Sequence, residues 1–199
     1  MRDAGAVIIA FALGSIVWGV VLGRVFLGKD LRSVDSPGAS GSFRQFGAVF
    51  GISVALLDIA KGVFSVAAAR WFGASPQGIA LSAVAAIAGH NWPVWFGFRG
   101  GGGLATAVGG LGSIAPRETA LAMAVSLLFA LLFKYSPIYG KLPMSSLPAG
   151  ASAGLPLLVW MTWRTGNSAG LLASLLGGVV IGIKGLQMLA ERQKRLKSQ

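Results

Sequence analysis

Three ionisable residues inside two apolar segments are the first candidates for chemistry in this sequence. Asp58 and Lys61 stand three positions apart, so on a helix they share a face and can pair. His90 is the only histidine of the chain, and an imidazole exchanges its proton near neutral pH, which suits a general base. We take Asp58, Lys61 and His90 as candidate catalytic residues. The alternatives are a structural ion pair and a hydrogen-bonded packing histidine.

A run of glycines within FRGGGGLAT offers backbone rather than side-chain chemistry. Gly100, Gly101, Gly102 and Gly103 precede an apolar segment. If a helix begins there, its N–H groups can approach an anion closely. Glycines also allow close helix packing in membranes, so the run is a weak indication when taken alone.

The most polar stretch is residues 28–47, which read GKDLRSVDSPGASGSFRQFG. Its Gly, Ser and Pro residues favour turns with exposed N–H groups, and Lys29, Arg32 and Arg44 add positive charge. Arginine can hold a phosphate with two parallel hydrogen bonds. We predict a cytoplasmic loop that helps to bind a phosphate. The alternative is an ordinary solvated loop that is basic because it lies in the cytoplasm.

The composition places these residues in a membrane protein. Of 199 residues, 54% are hydrophobic and 12% are charged, against about 25% charged residues in soluble proteins. This length predicts one polytopic domain over residues 1–199. The chain lacks cysteine and has one histidine, so we expect neither disulfides nor a metal site. The net charge of +11 does not indicate nucleic acid, because the basic residues lie between apolar runs and in the tail, residues 190–199.

Seven apolar segments predict an all-α integral membrane protein with about seven transmembrane helices, since about 20 residues cross a bilayer. The fourth is short and glycine-rich, and re-entry into the membrane is its alternative. The first is not expected to be a cleaved signal peptide, because Asp3 offsets Arg2 and no small-residue cleavage site follows. The segments are residues 4–25, 47–69, 79–96, 101–114, 119–133, 142–163 and 168–189.

Basic residues at the segment ends predict an outer N-terminus and a cytoplasmic C-terminus. With seven crossings, eleven Lys and Arg residues face the cytoplasm and four face outside. The inner set is Arg24, Lys29, Arg32, Arg44, Arg99, Lys134, Lys141, Arg192, Lys194, Arg195 and Lys197, and the outer set is Arg2, Arg70, Arg117 and Arg164. His90, the polar stretch and the glycine run then share the cytoplasmic side, which suits a phosphorylated substrate.

Five short motifs, in their order along the chain, resemble one family of bacterial membrane enzymes. The motifs are GSIVWG, KDLRSV followed by PGAS and Arg44, DIAKG, GHNWP and FRGGGGLAT. Their order is similar to that of the bacterial acyl-phosphate:glycerol-3-phosphate acyltransferases. The resemblance covers residues 10–115, and beyond them only the hydrophobic spacing agrees.

The resemblance implies an enzyme of phospholipid synthesis in the bacterial inner membrane. Acyl phosphate would give its fatty acyl group to the 1-hydroxyl of glycerol 3-phosphate, producing lysophosphatidic acid without acyl-CoA, metal or cofactor. Ser36, Arg44, Arg99 and the glycines at 100–103 would bind the substrates. Because acyl phosphate is already activated, the protein needs mainly to position two phosphates and stabilise developing charge.

The sequence departs from the family pattern at three places. The first loop of the family reads GSGN-x-GATN, whereas DSPGASGSFR lacks both asparagines. Gly102 stands where the family motif GGKG has lysine, and Arg99 is the nearest cation. The His and Asn of the family's last helix have no counterpart in KGLQMLAERQK. A divergent enzyme is therefore the main hypothesis. A non-catalytic lipid-binding or regulatory relative and a small anion or proton transporter are the alternatives.

Overall fold

A computed structural model describes residues 1–140 and 145–197, with side chains up to Lys194. Within those ranges the chain forms helices and no strand. Two short 3-10 helices, Leu31–Ser33 and Val94–Phe96, follow the second and fourth α-helices. The α-helices are α1 (Arg2–Gly14), α2 (Trp18–Leu27), α3 (Ala39–Trp71), α4 (Pro76–Asn91), α5 (Leu104–Gly112), α6 (Pro116–Lys134), α7 (Ser146–Arg164) and α8 (Ser168–Lys197).

Five helical segments in the described ranges are long and apolar enough to cross a membrane, and they coincide with five of the seven predicted segments. They are Arg2–Leu27, Ala39–Trp71, Pro76–Phe96, Pro116–Lys134 and Ser168–Lys194. The segment predicted at 101–114 forms only the nine residues of α5, about 13 Å of helix. The segment predicted at 142–163 corresponds to the 19 residues of α7. Lys141 and Leu142 lie outside the described residues, as do the side chains of Arg195 and Lys197.

Two predicted boundaries differ from the structure. The first apolar segment is broken between α1 and α2, where Val17 is extended with φ −90° and ψ 98°. The polar stretch 28–47 is a loop only up to Gly38, because the small residues that follow already belong to α3. A kink marks the predicted end of that stretch, since Gly47 has φ 83°, a conformation that glycine adopts without steric cost.

Helix α4 lies at the centre of the bundle and contacts α1, α3, α5 and α8. Small residues allow these close contacts, as membrane helices require. A methyl group at Gly14 of α1 would collide with the backbone of Ala86 in α4, and one at Gly62 of α3 would collide with that of Thr106 in α5. Large apolar side chains, such as Leu56 of α3, are exposed on the outside of the bundle, where lipid can cover them.

Polar contacts between helix ends define one end of the bundle. Asp3 accepts hydrogen bonds from the backbone N–H and the hydroxyl of Ser75, at 2.8 and 2.5 Å. Arg70 donates to the carbonyl of Ser113 at 2.6 Å, and Asn167 to that of Ile114 at 3.3 Å. The start of α1, the end of α3, the start of α4, the end of α5 and the turn between α7 and α8 therefore share one end. The candidate residues lie toward the other.

Candidate functional site

The three candidate catalytic residues form one buried cluster. Asp58 and Lys61 lie on consecutive turns of α3, and His90 lies in the last turn of α4. Lys61 Nζ is 3.0 Å from Asp58 Oδ1 and 2.8 Å from His90 Nδ1. The residues are 0%, 5% and 2% exposed in chain order. Buried charges are costly unless they are paired, and the cluster supplies that pairing.

A backbone carbonyl completes the environment of the Lys61 ammonium. Lys61 Nζ donates to the carbonyl oxygen of Ile16 at 2.7 Å, which lies in the break between α1 and α2. The three N–H groups of the ammonium thus face a carbonyl, a carboxylate and an imidazole nitrogen. Sequence reasoning missed Ile16, because a backbone acceptor at a helix break leaves no pattern of residue types.

The contacts determine which nitrogen of His90 carries the proton. Nδ1 is 2.8 Å from the Lys61 ammonium but 3.5 Å from Asp58 Oδ1. Since an ammonium can only donate, Nδ1 accepts its hydrogen bond, and the proton of a neutral ring belongs on Nε2. We assign this tautomer from the hydrogen-bond network. The N–H group of His90 is then directed away from Lys61.

His90 Nε2 faces the meeting point of two glycines. A methyl group at Gly38 would lie 3.8 Å from Nε2, 3.7 Å from Gly101 Cα and 3.7 Å from Ser36 Oγ. A methyl group at Gly101 would collide with Nε2 itself. Ser36, His90 and the glycine run, which lie far apart in sequence, are therefore brought together here.

The glycines of the run differ in their surroundings. Gly100 abuts the carbonyl oxygen of His90, and Gly101 donates its N–H to the same oxygen at 3.2 Å. Gly103 is the N-cap residue of α5 with φ 77°, packed against Asn91. Gly102 has room, because the nearest atom to a methyl group there is Met188 Sδ at 3.8 Å. The position of the family's lysine can therefore accept a side chain.

Two helix N-termini converge at this point. Helix α3 begins after Gly38 and α5 after Gly103, and Gly101 packs directly on Gly38. The first N–H groups of a helix lack intrahelical partners and carry partial positive charge. Two such ends, together with the Nε2 proton of His90, form an environment that favours an anion.

Arg44 and Ser36 are linked through Asp35. Arg44 Nε donates to Asp35 Oδ2 at 2.8 Å, and the backbone N–H of Ser36 donates to Asp35 Oδ1 at 2.7 Å. The Ser36 hydroxyl accepts from the N–H of Gly38 at 3.4 Å. The Arg44 side chain remains 48% exposed, so it lies at the mouth of the site rather than inside it.

The other cations of this end take different positions. Arg32 donates to Asp30 and, at 2.6 Å, to the carbonyl of Phe96, which fastens the loop before α3 to the turn after α4. Hydrogen bonds from Arg32, followed by that from Arg24, hold the pKa of Asp30 well below its usual range. Arg99 is exposed, and its side chain makes no hydrogen bond or ion pair with the rest of the described chain. Hence only the backbone next to Arg99 belongs to the convergent site, by which we mean Gly38, Gly101 and His90 Nε2 at the meeting point of the two helix N-termini.

One buried cation, Lys184, was not among the predicted site residues. Lys184 of α8 is 7% exposed, and its Nζ lies 5.8 Å from the centre of the Trp92 ring. Its spacing to Gln187 and Met188, three and four positions on, is the sequence feature that could have identified a functional face. Among the described residues, no group of three or more His, Cys, Asp or Glu residues could hold a metal ion.

Known proteins are similar to this chain in sequence and in fold. Residues 4–191 match the model of the family described as glycerol-3-phosphate acyltransferase. Glycerol-3-phosphate acyltransferase 2 of Deinococcus radiodurans is 34% identical over 188 residues, which are 94% of each chain. A glycerol-3-phosphate acyltransferase of an Anaeromyxobacter species is 41% identical over 80% of this chain and 77% of its own.

Solved structures agree with the sequence relatives. Two crystal structures of PlsY, an integral membrane glycerol 3-phosphate acyltransferase, are similar in fold. Each match covers 100% of this chain and 93% of the PlsY chain. The glycerol 3-phosphate form gives a TM-score of 0.79 at 26% identity, and the lysophosphatidic acid form 0.77 at 25%. With its apolar helices, the chain is a multi-pass integral membrane protein, and it belongs to the glycerol-3-phosphate acyltransferase family.

Proposed function

We propose that this chain transfers a fatty acyl group from acyl phosphate to the 1-hydroxyl of glycerol 3-phosphate in the bacterial inner membrane. The observation that carries the proposal is the junction of Gly38 and Gly101, where two helix N-termini and His90 Nε2 converge. Both substrates are phosphate anions, and this junction offers N–H donors. The two carboxylates near it are already engaged, Asp58 by Lys61 and Asp35 by Arg44 and the backbone N–H of Ser36. The reaction produces lysophosphatidic acid for phospholipid synthesis.

The reaction balances without a protein nucleophile. The hydroxyl oxygen of glycerol 3-phosphate forms a bond to the acyl carbon, and the bond from that carbon to the phosphate oxygen breaks. The released inorganic phosphate carries the negative charge, and it takes up the hydroxyl proton in the overall balance. The protein contributes by holding both phosphates and by stabilising charge as it develops on the acyl oxygen and the departing phosphate.

The site residues divide into donors and supports. His90 donates through Nε2 to a phosphate or to the developing charge, and Lys61 with Asp58 holds the ring in that orientation. Ser36 supplies a hydroxyl donor, and the glycines at 100, 102 and 103 supply backbone N–H donors, while the N–H of Gly101 is bonded to the carbonyl of His90. Arg44 and Arg99, exposed at the mouth, attract anionic substrates from solution.

We also propose the membrane topology that the sequence predicts, with seven crossings and the N-terminus on the outer side. It is supported by the contacts Asp3–Ser75, Arg70–Ser113 and Asn167–Ile114. They join the residues that this topology assigns to the outer side. Helix α5 is too short to cross alone, so the glycine-rich segment before it completes the fourth crossing inside the protein, where irregular backbone is tolerated.

We assign the fatty acyl chain to an apolar cavity beside α5. The cavity has a volume of about 170 Å³, and Leu104, the residue after the glycine run, is one of its lining residues. Side chains of α5, α6 and α7 line it, among them Val108, Met123 and Ala151. An acyl phosphate with its phosphate at the glycines can thus extend its chain along α5.

Loss of the family's lysine at Gly102 favours a second candidate, a relative that binds phosphorylated lipid without catalysis. Rescue of a bacterial strain deprived of its own glycerol-3-phosphate acyltransferase separates the two. We expect growth with the parent chain and none with His90→Ala at equal membrane abundance. Failure of the parent chain to rescue, despite its presence in the membrane, would favour the non-catalytic relative.

A further inference from the structure

The buried lysine of the last helix, Lys184, carries an inference that deepens the proposed function. Lys184 is 7% exposed, yet its ammonium makes no hydrogen bond or ion pair with the described part of the chain. A buried ammonium without an anion is costly in a membrane. Such residues usually face a polar cavity or a functional site. The carboxylate that acts on Lys184, that of Glu191, lies two turns further along α8 in an exposed position and forms no ion pair with it.

Contacts on both sides of Lys184 fix it beside the convergent site. One turn before it, the carbonyl of Val180 accepts from Asn91 Nδ2 at 3.3 Å. Three positions after it, Gln187 accepts from Trp92 Nε1 at 3.0 Å. These partners directly follow His90 in the chain. Lys184 therefore lies on the face of α8 that covers the end of α4.

The same face also covers the position of the missing family lysine. Met188 lies one helical turn after Lys184, so the two side chains are neighbours on α8. Met188 Sδ is the atom nearest to a methyl group at Gly102, at 3.8 Å. A cation on this face can thus reach the space that a side chain at Gly102 would occupy.

Unpaired acceptors and donors in the neighbourhood add a second observation. The buried oxygens Asn91 Oδ1 and Thr106 Oγ1 have no hydrogen-bond partner among the described residues, and both flank the start of α5. Buried polar atoms of this kind normally find a partner, which a bound polar ligand or water provides.

We propose that Lys184 is the phosphate-binding cation of this chain, and that it replaces from the last helix the lysine that its family carries at the position of Gly102. The ligand is a phosphate monoester, either the phosphate of glycerol 3-phosphate or that of the acyl phosphate. Arg99, the alternative from sequence, is exposed and faces solvent. The inference rests on the proposed function for the identity of the two substrates.

The test measures KM for each substrate separately, using purified protein and the variants Lys184→Met, Lys184→Arg and Lys184→Met/Gly102→Lys. Lys184→Met should raise KM for one of the two substrates roughly ten-fold or more, since a hydrogen bond to a charged group is lost. Lys184→Arg should keep most of the affinity. The added Gly102→Lys should recover much of the loss, which a merely structural lysine would not allow. Lys134→Met, an exposed lysine of the same end, is the matched control.

Two results would overturn the inference: an unchanged KM for both substrates in Lys184→Met, or a raised KM that Gly102→Lys does not lower. Methionine is unbranched and of similar length, so it can pack on Trp92, and Lys184→Gln serves as a second neutral variant if the first fails to fold.

If the parent chain forms no lysophosphatidic acid, the proposed function fails but the inference is still tested by calorimetric binding of glycerol 3-phosphate and inorganic phosphate. Weaker binding by Lys184→Met supports it, and equal binding or none by the parent contradicts it.

Discussion

The ammonium of Lys61 lies 2.8 Å from Nδ1 of His90, and neither residue is more than 5% exposed. Because the ammonium can only donate, it fixes the imidazole with its proton on Nε2, the atom that faces Gly38 and Gly101. This arrangement makes His90 a hydrogen-bond donor to an anion, whereas the sequence left a general base and a packing histidine as the two alternatives.

The donor role of His90 predicts different effects for two amide substitutions. The amide of glutamine reaches the place of Nε2, whereas that of asparagine reaches only the place of Nδ1. His90→Asn should lower kcat/KM roughly ten- to hundred-fold, because a hydrogen bond to a charged group is lost. His90→Gln should lower kcat/KM less. Steady-state kinetics on both variants checks this, and equal losses would argue against donation through Nε2.

Breaking the buried pair on α3 should affect stability and activity separately. Asp58→Asn leaves the Lys61 ammonium without its carboxylate and should destabilise the fold by about 3–5 kcal/mol. Asp58→Asn/Lys61→Met removes both charges and should recover much of that stability, while activity stays low because nothing orients His90. Thermal unfolding in detergent and acyl transfer are measured together. A stable and fully active double variant would show that the pair is only architectural.

The sequence predicted most of the helices and the shared face of Asp58 and Lys61, because hydrophobic length and helical spacing are local properties. It did not predict that His90 joins them, because that contact depends on how α4 packs against α3. It could not predict the role of Ile16, whose carbonyl is available only because α1 and α2 separate. It also missed the helical start of α3 at Ala39, since small residues that suit turns also suit close helix packing. The place of Lys184 depends on how α8 packs against α4, a contact between residues about ninety positions apart.

Arg44 should contribute to substrate capture more than to the chemical step. Its side chain is half exposed and paired with Asp35, which is bonded to the backbone of Ser36. Arg44→Ala should raise KM for one or both substrates several-fold and leave kcat nearly unchanged. Lys29→Ala, an exposed cation of the same loop, is the control. An unchanged KM for both substrates would remove Arg44 from the site.

The anchor formed by Asp30 and Arg32 should resist acid. Hydrogen bonds from Arg32 hold the pKa of Asp30 below its usual range. A carboxylate with a lowered folded-state pKa stabilises the fold above its unfolded pKa, about 3.9, and this contribution is lost as pH falls toward the folded value. Asp30→Asn should therefore lower stability by about 1 kcal/mol or less, because the pair is partly exposed. The difference should be constant from pH 8 to pH 5 and shrink below about pH 4. Unfolding temperatures across this range check the sign, and a difference that grows in acid would contradict it.

The cavity along α5 should set the preference for acyl-chain length. Ala151→Phe fills part of the cavity wall on α7 and should shift kcat/KM toward shorter acyl phosphates. Leu128→Phe, on an exposed face of α6 outside the lining, is the control and should leave the preference as it is. Rates with a series of acyl phosphates give the comparison. An identical chain-length profile in Ala151→Phe would place the acyl chain elsewhere.

The proposed reaction is tested most directly by acyl transfer with the purified parent chain in detergent, using acyl phosphate and labelled glycerol 3-phosphate and no other protein. We expect labelled lysophosphatidic acid together with an equal amount of inorganic phosphate, and loss of most of that product in His90→Asn. Folded parent protein that yields no lysophosphatidic acid above background would contradict the proposed reaction.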